Sequence, residues 1–246
     1  MEAARNIRQA VADVSRLREA ALARPLLRQA VVEVKSLQSL RFAGTYADLL
    51  RGGPHADATR FFLEELYSNK DYAERDAQFS RIAGAIERLF PAQVVQTAVA
   101  LAGLHALTED LDQKMGAAWL EVDGGLSPAS RYVTCWRVVG RRADRQSQLA
   151  EVMDIGAQMA RLTRTPGLRM MLRMMRGPAS AAGMASLQGF LESGFDKFAA
   201  VAGRPSSVQA FLSTIERRES ALIAMLFDAD LVACETELQT ILGQAR

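Results

Sequence analysis

Lysine is scarce in this chain. Only Lys35, Lys70, Lys114 and Lys197 stand among 30 basic residues, so arginine carries nearly all the positive charge. We read that first as coding bias and only then as chemistry. The 28 acidic residues almost cancel the basic ones. That balance removes the global electrostatic footprint expected of a nucleic-acid binder. Cysteine is scarcer still. Cys135 and Cys234 form neither a disulfide framework nor a metal-type pair, and two buried thiols in a reducing cytoplasm are expected. Histidine is limited to His55 and His105, and neither stands three residues after a glutamate. A helical di-iron site, which needs a Glu-x-x-His pair on each of two helices, is therefore excluded.

Long apolar runs are missing too. The longest uncharged stretch, Leu89–Thr108, contains Pro91, Gln93, Gln96, Thr97 and His105, which predicts a buried helix and not a membrane span. The first residues lack the apolar core of a signal peptide, so a soluble, cytoplasmic protein is expected. No phosphate loop, dinucleotide fingerprint, nucleophile elbow or zinc-protease helix occurs. We expect no cofactor and no metal site, and we assign no catalytic residue.

What is present is helical periodicity. Nothing alternates like a strand for long, and Gly and Pro punctuate the pattern. Breaks are expected near Arg24–Pro25, Arg51–Pro54, Ser68–Lys70, Phe90–Pro91, Asp123–Pro128, Gly140–Asp144, Thr165–Gly167, Gly177–Pro178 and Gly203–Ser206. A proline in the first turn of a helix forgoes only an amide that has no intrahelical acceptor. The prediction is an all-α multi-helix bundle of about nine or ten helices with short connections. It forms one domain over residues 1–246, or two helical subdomains split near 123–128.

Aromatic residues are few, but they crowd residues 60–67, Arg-Phe-Phe-Leu-Glu-Glu-Leu-Tyr. Phe61, Phe62, Leu63, Glu64, Glu65, Leu66 and Tyr67 match letter for letter the hallmark of the FFLEELY-motif proteins of bacteria. The chain resembles that family in length and helical pattern as well. The resemblance implies no reaction, ligand or catalytic residue. On a helical wheel Thr59, Phe62, Leu63, Leu66 and Tyr67 fill one arc. Phe61 falls between Glu64 and Glu65 on the face that should be wet. Either a second layer of protein covers it, or it belongs to an interface. Asp71 and Glu74 form a plausible capping box for the next helix. A hairpin there would bring Arg75 to Glu64 or Glu65.

Five charged or polar residues are predicted inward: Arg75, His105, Glu109, Asp112 and Glu219. His105, Glu109 and Asp112, at i, i+4 and i+7, share the buried side of the helix that starts at Pro91. Glu219 sits among Val208, Phe211, Ile215, Leu222 and Leu226. Unpartnered buried charge costs several kcal/mol, roughly, so these groups must pair, shift their pKa or bind something. The readings are a structural network, a small-ligand pocket, a metal site, or acid–base chemistry by His105 with Glu109. The last has neither a recognisable nucleophile nor an anion hole.

Residues 155–191 hold no acid, and Leu168–Arg176 places Arg169, Arg173 and Arg176 on one face of a methionine-rich helix. Such a helix can lie on an anionic membrane or in a partner's groove. It can equally be a core helix whose arginine stems cover its edge. The expected function is a non-catalytic binding or interaction module of undefined ligand. It would work through Phe61, Glu64, Glu65 and the arginine segment, with a protein partner or a second copy. The alternatives are a helical enzyme or metalloprotein built on the inward cluster, and a peripheral lipid-binding protein. Nucleic acid is the least favoured partner.

Overall fold

The computed structural model describes residues 1–65, 70, 72–203 and 205–245. Thirteen helical segments and no strand occur among them. They are α1 (Glu2–Leu22), α2 (Pro25–Thr45), α3 (Ala47–Leu50), α4 (Ala56–Glu65), α5 (Ala73–Leu89), α6 (Ala92–Glu121), α7 (Pro128–Val139), α8 (Arg142–Leu162), α9 (Leu168–Met174), α10 (Arg176–Ala181), α11 (Ala185–Ala202), α12 (Pro205–Asp228) and α13 (Leu231–Gln244). The all-α class is as predicted, but the expected helix count was low. The extra segments are short or weakly marked: the single turn α3, the α9–α10 pair, and α13. The break before α13 carries neither Gly nor Pro. It is made by Asp230, whose carboxylate accepts from the amides of Val232 and Ala233. Two other starts carry the markers read from the sequence. Pro25 and Pro128 open α2 and α7, and Ser127 accepts from the amide of Ser130.

The thirty-residue α6 is the axis. It packs against α1, α2, α5, α7 and α8, so apolar residues surround it nearly all round. Gly116 makes the α2 crossing possible, because a methyl group there would overlap the Val31 side chain. Three clusters fill the interior around this axis. One joins Val34 of α2, Met115 of α6, Tyr132 and Val133 of α7, Leu226 of α12 and Leu238 of α13. It therefore spans elements on both sides of 123–128. A second joins Phe42, Ala58, Phe198 and Phe211. A third ties α1 to α5 and α6 through Ile7, Ala83 and Ala102. Burying a side chain such as Phe211 or Leu226 stabilises the fold by roughly 1.5–3 kcal/mol.

The aromatic octapeptide lies in α4 as far as Glu65; Leu66 and Tyr67 are outside the described residues. So is Asp71 of the expected capping box; the described start of α5 is capped by Tyr72, with no side-chain bond. Phe61 is partly covered by protein. Its ring stacks on Phe190 of α11 at 5.7 Å between centroids, and a Cβ on Gly194 would stand 2.9 Å from its Cζ. The small residue of α11 thus admits the large one of α4. The hairpin contact expected of Arg75 is also present. Its Nη1 donates to the Glu65 carbonyl at 3.3 Å, and the Tyr72 hydroxyl donates to the Glu64 carbonyl.

Candidate functional site

The five inward residues divide between two neighbouring cavities. Arg75, His105 and Glu109 line the first, together with Lys35 and Asp76; its volume is about 120 Å³. Asp112 and Glu219 line the second, of about 50 Å³, with Arg41, Tyr132, Trp136 and Arg145. Phe62 and Val152 border both. The second phenylalanine of the octapeptide is therefore part of the partition between them.

In the first cavity His105 does not pair with Glu109 along its own helix. Its Nε2 meets Asp76 Oδ2 of α5 at 2.9 Å, and Arg18 of α1 reaches the same oxygen at 2.8 Å. Burial opposes ionisation of Asp76, but the His105 hydrogen bond and the charges of His105 and Arg18 outweigh it. They hold the carboxyl below the usual aspartate value. Glu109 accepts instead from Lys35 Nζ of α2 at 2.6 Å. Arg75 is a different case. Its guanidinium lies 3.9 Å from the Tyr72 ring centroid and 4.3 Å from that of Phe190. The nearest carboxylate contact among the described residues is Glu65 Oε2 at 3.9 Å. Burial pulls its pKa down, and Asp76, Tyr72 and Glu65 offset only part of that.

The second cavity is more enclosed chemically. Arg41 is buried and donates to Glu219 Oε1 at 2.7 Å, which also accepts from the Tyr46 hydroxyl at 3.0 Å. Asp112 is buried, and its nearest cation, Lys35, stands 3.9 Å away. Burial pushes its carboxyl up, against the charges of Lys35 and Arg145. The Gln38 amide favours the ionised form without reaching hydrogen-bond geometry. Among the described residues, Gln38 Nε2, Arg41 Nε, Asp112 Oδ1 and Trp136 Nε1 all lack a hydrogen bond of normal geometry. These four groups line one small space, roomy enough for several waters to donate and accept there.

A third cavity adjoins the first and shares Phe79, Leu101, Leu187 and Leu191 with it. Its volume is about 220 Å³, and its walls are almost wholly apolar, from α5, α6, α8, α9, α10 and α11. Sequence reasoning missed this chamber. Its lining comes from six helices, and no local pattern marks a space that only their packing leaves.

The arginine segment closes one side of the chamber. Leu168, Leu172 and Met175 line it, while Met170 and Met174 are exposed. The three arginines turn to acids that lie just beyond the acid-free stretch. Arg169 and Arg173 meet Asp196 at 2.8 and 3.7 Å, and Arg176 meets Glu192. The arginines thus strap α9 and α10 to α11. Glu192 is held down to about 2 by the Arg176 and Gln188 hydrogen bonds. Glu64 is exposed, and Glu65 meets Lys70 at 3.0 Å.

Among the described residues, no group of three or more His, Cys, Asp or Glu side chains is placed to hold a metal ion. No described helix is long and apolar enough to cross a membrane. Residues 17–232 match a family defined as a domain of unknown function (DUF8198). No curated protein and no solved structure matches the chain.

Proposed function

The chain belongs to the DUF8198 family, which brings no activity with it, and we propose from its interior that it is a non-catalytic binding module for a small amphipathic molecule. The observation that carries this reading is that the polar cavity beside His105 lies against the apolar chamber, with four lining residues in common. Protein interiors leave few voids larger than a water molecule. An apolar pocket of this size offers a hydrocarbon guest about 0.8 kcal/mol for each methylene it buries.

The enzymatic alternative is favoured by the His105–Asp76 pair. Against it, no hydroxyl or thiol among the described residues hydrogen-bonds the imidazole. For the surface readings, Phe61 and the three arginines are already engaged with α11, which favours an interior site over a protein partner, a second copy or an anionic membrane. The octapeptide supports membership in the bacterial FFLEELY-motif proteins. The buried free thiols support a cytoplasmic place; burial pushes Cys135 up to about 11.

The test is titration calorimetry with 1-dodecanol, a neutral probe of the chamber. Saturable one-to-one binding is expected, and Ala85→Phe, which places a ring in the chamber wall, should abolish it. Absence of saturable binding to the folded wild-type chain contradicts the reading.

A further inference from the structure

Resting on that reading of the joined cavities, we propose that the ligand is a single-chain fatty acid, with its carboxylate on Arg75 and its hydrocarbon tail in the 220 Å³ chamber. The tail follows from polarity and size. The chamber exceeds the roughly 150 Å³ at which an apolar protein cavity stays dry and takes up an apolar guest. Its walls supply almost no group to hydrogen-bond, so the buried part of the ligand is hydrocarbon.

The head follows from charge. Asp76 is met by both His105 and Arg18, and Glu109 by Lys35. Glu65 lies nearer Lys70, at 3.0 Å, than Arg75, at 3.9 Å. Arg75 is therefore the least neutralised cation on the cavity wall. Its guanidinium packs on the Tyr72 and Phe190 rings. Aromatic contact fixes such a group, and with Nη1 on the Glu65 carbonyl its Nε and Nη2 remain to donate two parallel N–H bonds, the geometry a carboxylate accepts. On the wall itself Lys35 and Arg75 balance Asp76 and Glu109, and Arg18 behind Asp76 adds one positive charge, which suits a monoanion. It gives a cationic head no counter-charge and a phosphate dianion too little.

The order of the parts fits one molecule. Phe79, Leu101, Leu187 and Leu191 are common to the cationic cavity and the chamber. A chain anchored at Arg75 reaches the chamber by way of these four side chains, all of them apolar.

Calorimetry with three probes of equal chain length tests this: dodecanoate and dodecyltrimethylammonium below their micelle concentrations, and 1-dodecanol below its solubility limit. Dodecanoate is expected to bind one-to-one and at least tenfold more tightly than the alcohol, with the cation weakest. Affinity should rise about fourfold per methylene from octanoate until the chamber is full. Arg75→Gln should cost dodecanoate about thirtyfold, the worth of a charge-assisted pair, and leave 1-dodecanol unchanged. Arg75→Lys, which keeps the charge but loses the fork, should fall between. Circular dichroism shows whether each variant is folded. Equal affinity of acid and alcohol, or no effect of Arg75→Gln on dodecanoate, overturns the carboxylate assignment while the chamber reading stands. Failure of both probes to bind the folded wild-type chain overturns the two together.

Discussion

Asp76 and Asp112 are both buried aspartates on facing helices, and their environments push them in opposite directions. Asp76 has its folded pKa depressed. Its contribution to stability is present above the unfolded value of about 3.9 and is lost as pH falls through the lower folded value. Asp76→Asn should cost roughly 2 kcal/mol in urea unfolding at pH 7, the scale of a hydrogen bond to a charged group. The gap from wild type should close as pH falls below about 4. Asp112 has its folded pKa raised. Folding favours its protonated form, so stability is lost as pH rises from about 3.9 towards the folded value. Asp112→Asn should therefore leave stability at pH 7 unchanged or higher. A loss above about 1 kcal/mol would show that Asp112 is a paired, stabilising charge. At this scale the inward residues were legible because helical spacing puts His105, Glu109 and Asp112 on one buried side. Their partners were not. Asp76, Arg18, Lys35 and Arg41 come from other helices, and no local pattern says which charges will meet.

At the scale of elements, two of the contacts that hold α11 in place can each be tested alone. One is Phe61 of α4 seated over Gly194. Gly194→Ala should destabilise by about 1–3 kcal/mol through overpacking. Combining it with Phe61→Leu should cost less than the sum of the two, because the smaller side chain vacates the space. Strict additivity in unfolding experiments would contradict this contact. The other contact is the arginine strap. Removing both acids, with Glu192→Ala and Asp196→Ala, should speed amide exchange across α9 and α10 by tenfold or more while α12 and α13 keep their protection. Unchanged exchange would show that apolar contacts alone hold these helices. The arginine face was legible from spacing. Its role was not, because Glu192 and Asp196 lie past the window in which the charge looked unopposed. Phe61 is the same case: the wheel exposed it as an anomaly on α4, and only α11 explains it.

For the whole molecule, the long central helix and the proline-marked starts were legible because they rest on local rules of capping and period. The cavities were not, since they are what helices distant in the sequence leave between them. The proposed working site is this interior, where a cationic cavity shares four apolar walls with a hydrocarbon chamber. Amide exchange of the wild-type chain with and without saturating dodecanoate tests that claim most directly. Protection should increase within residues 73–89, 92–121 and 185–202, which wall the joined cavities, and stay constant in α13. Protection that does not change in those three segments, or that changes only in exposed parts of α9, would contradict it.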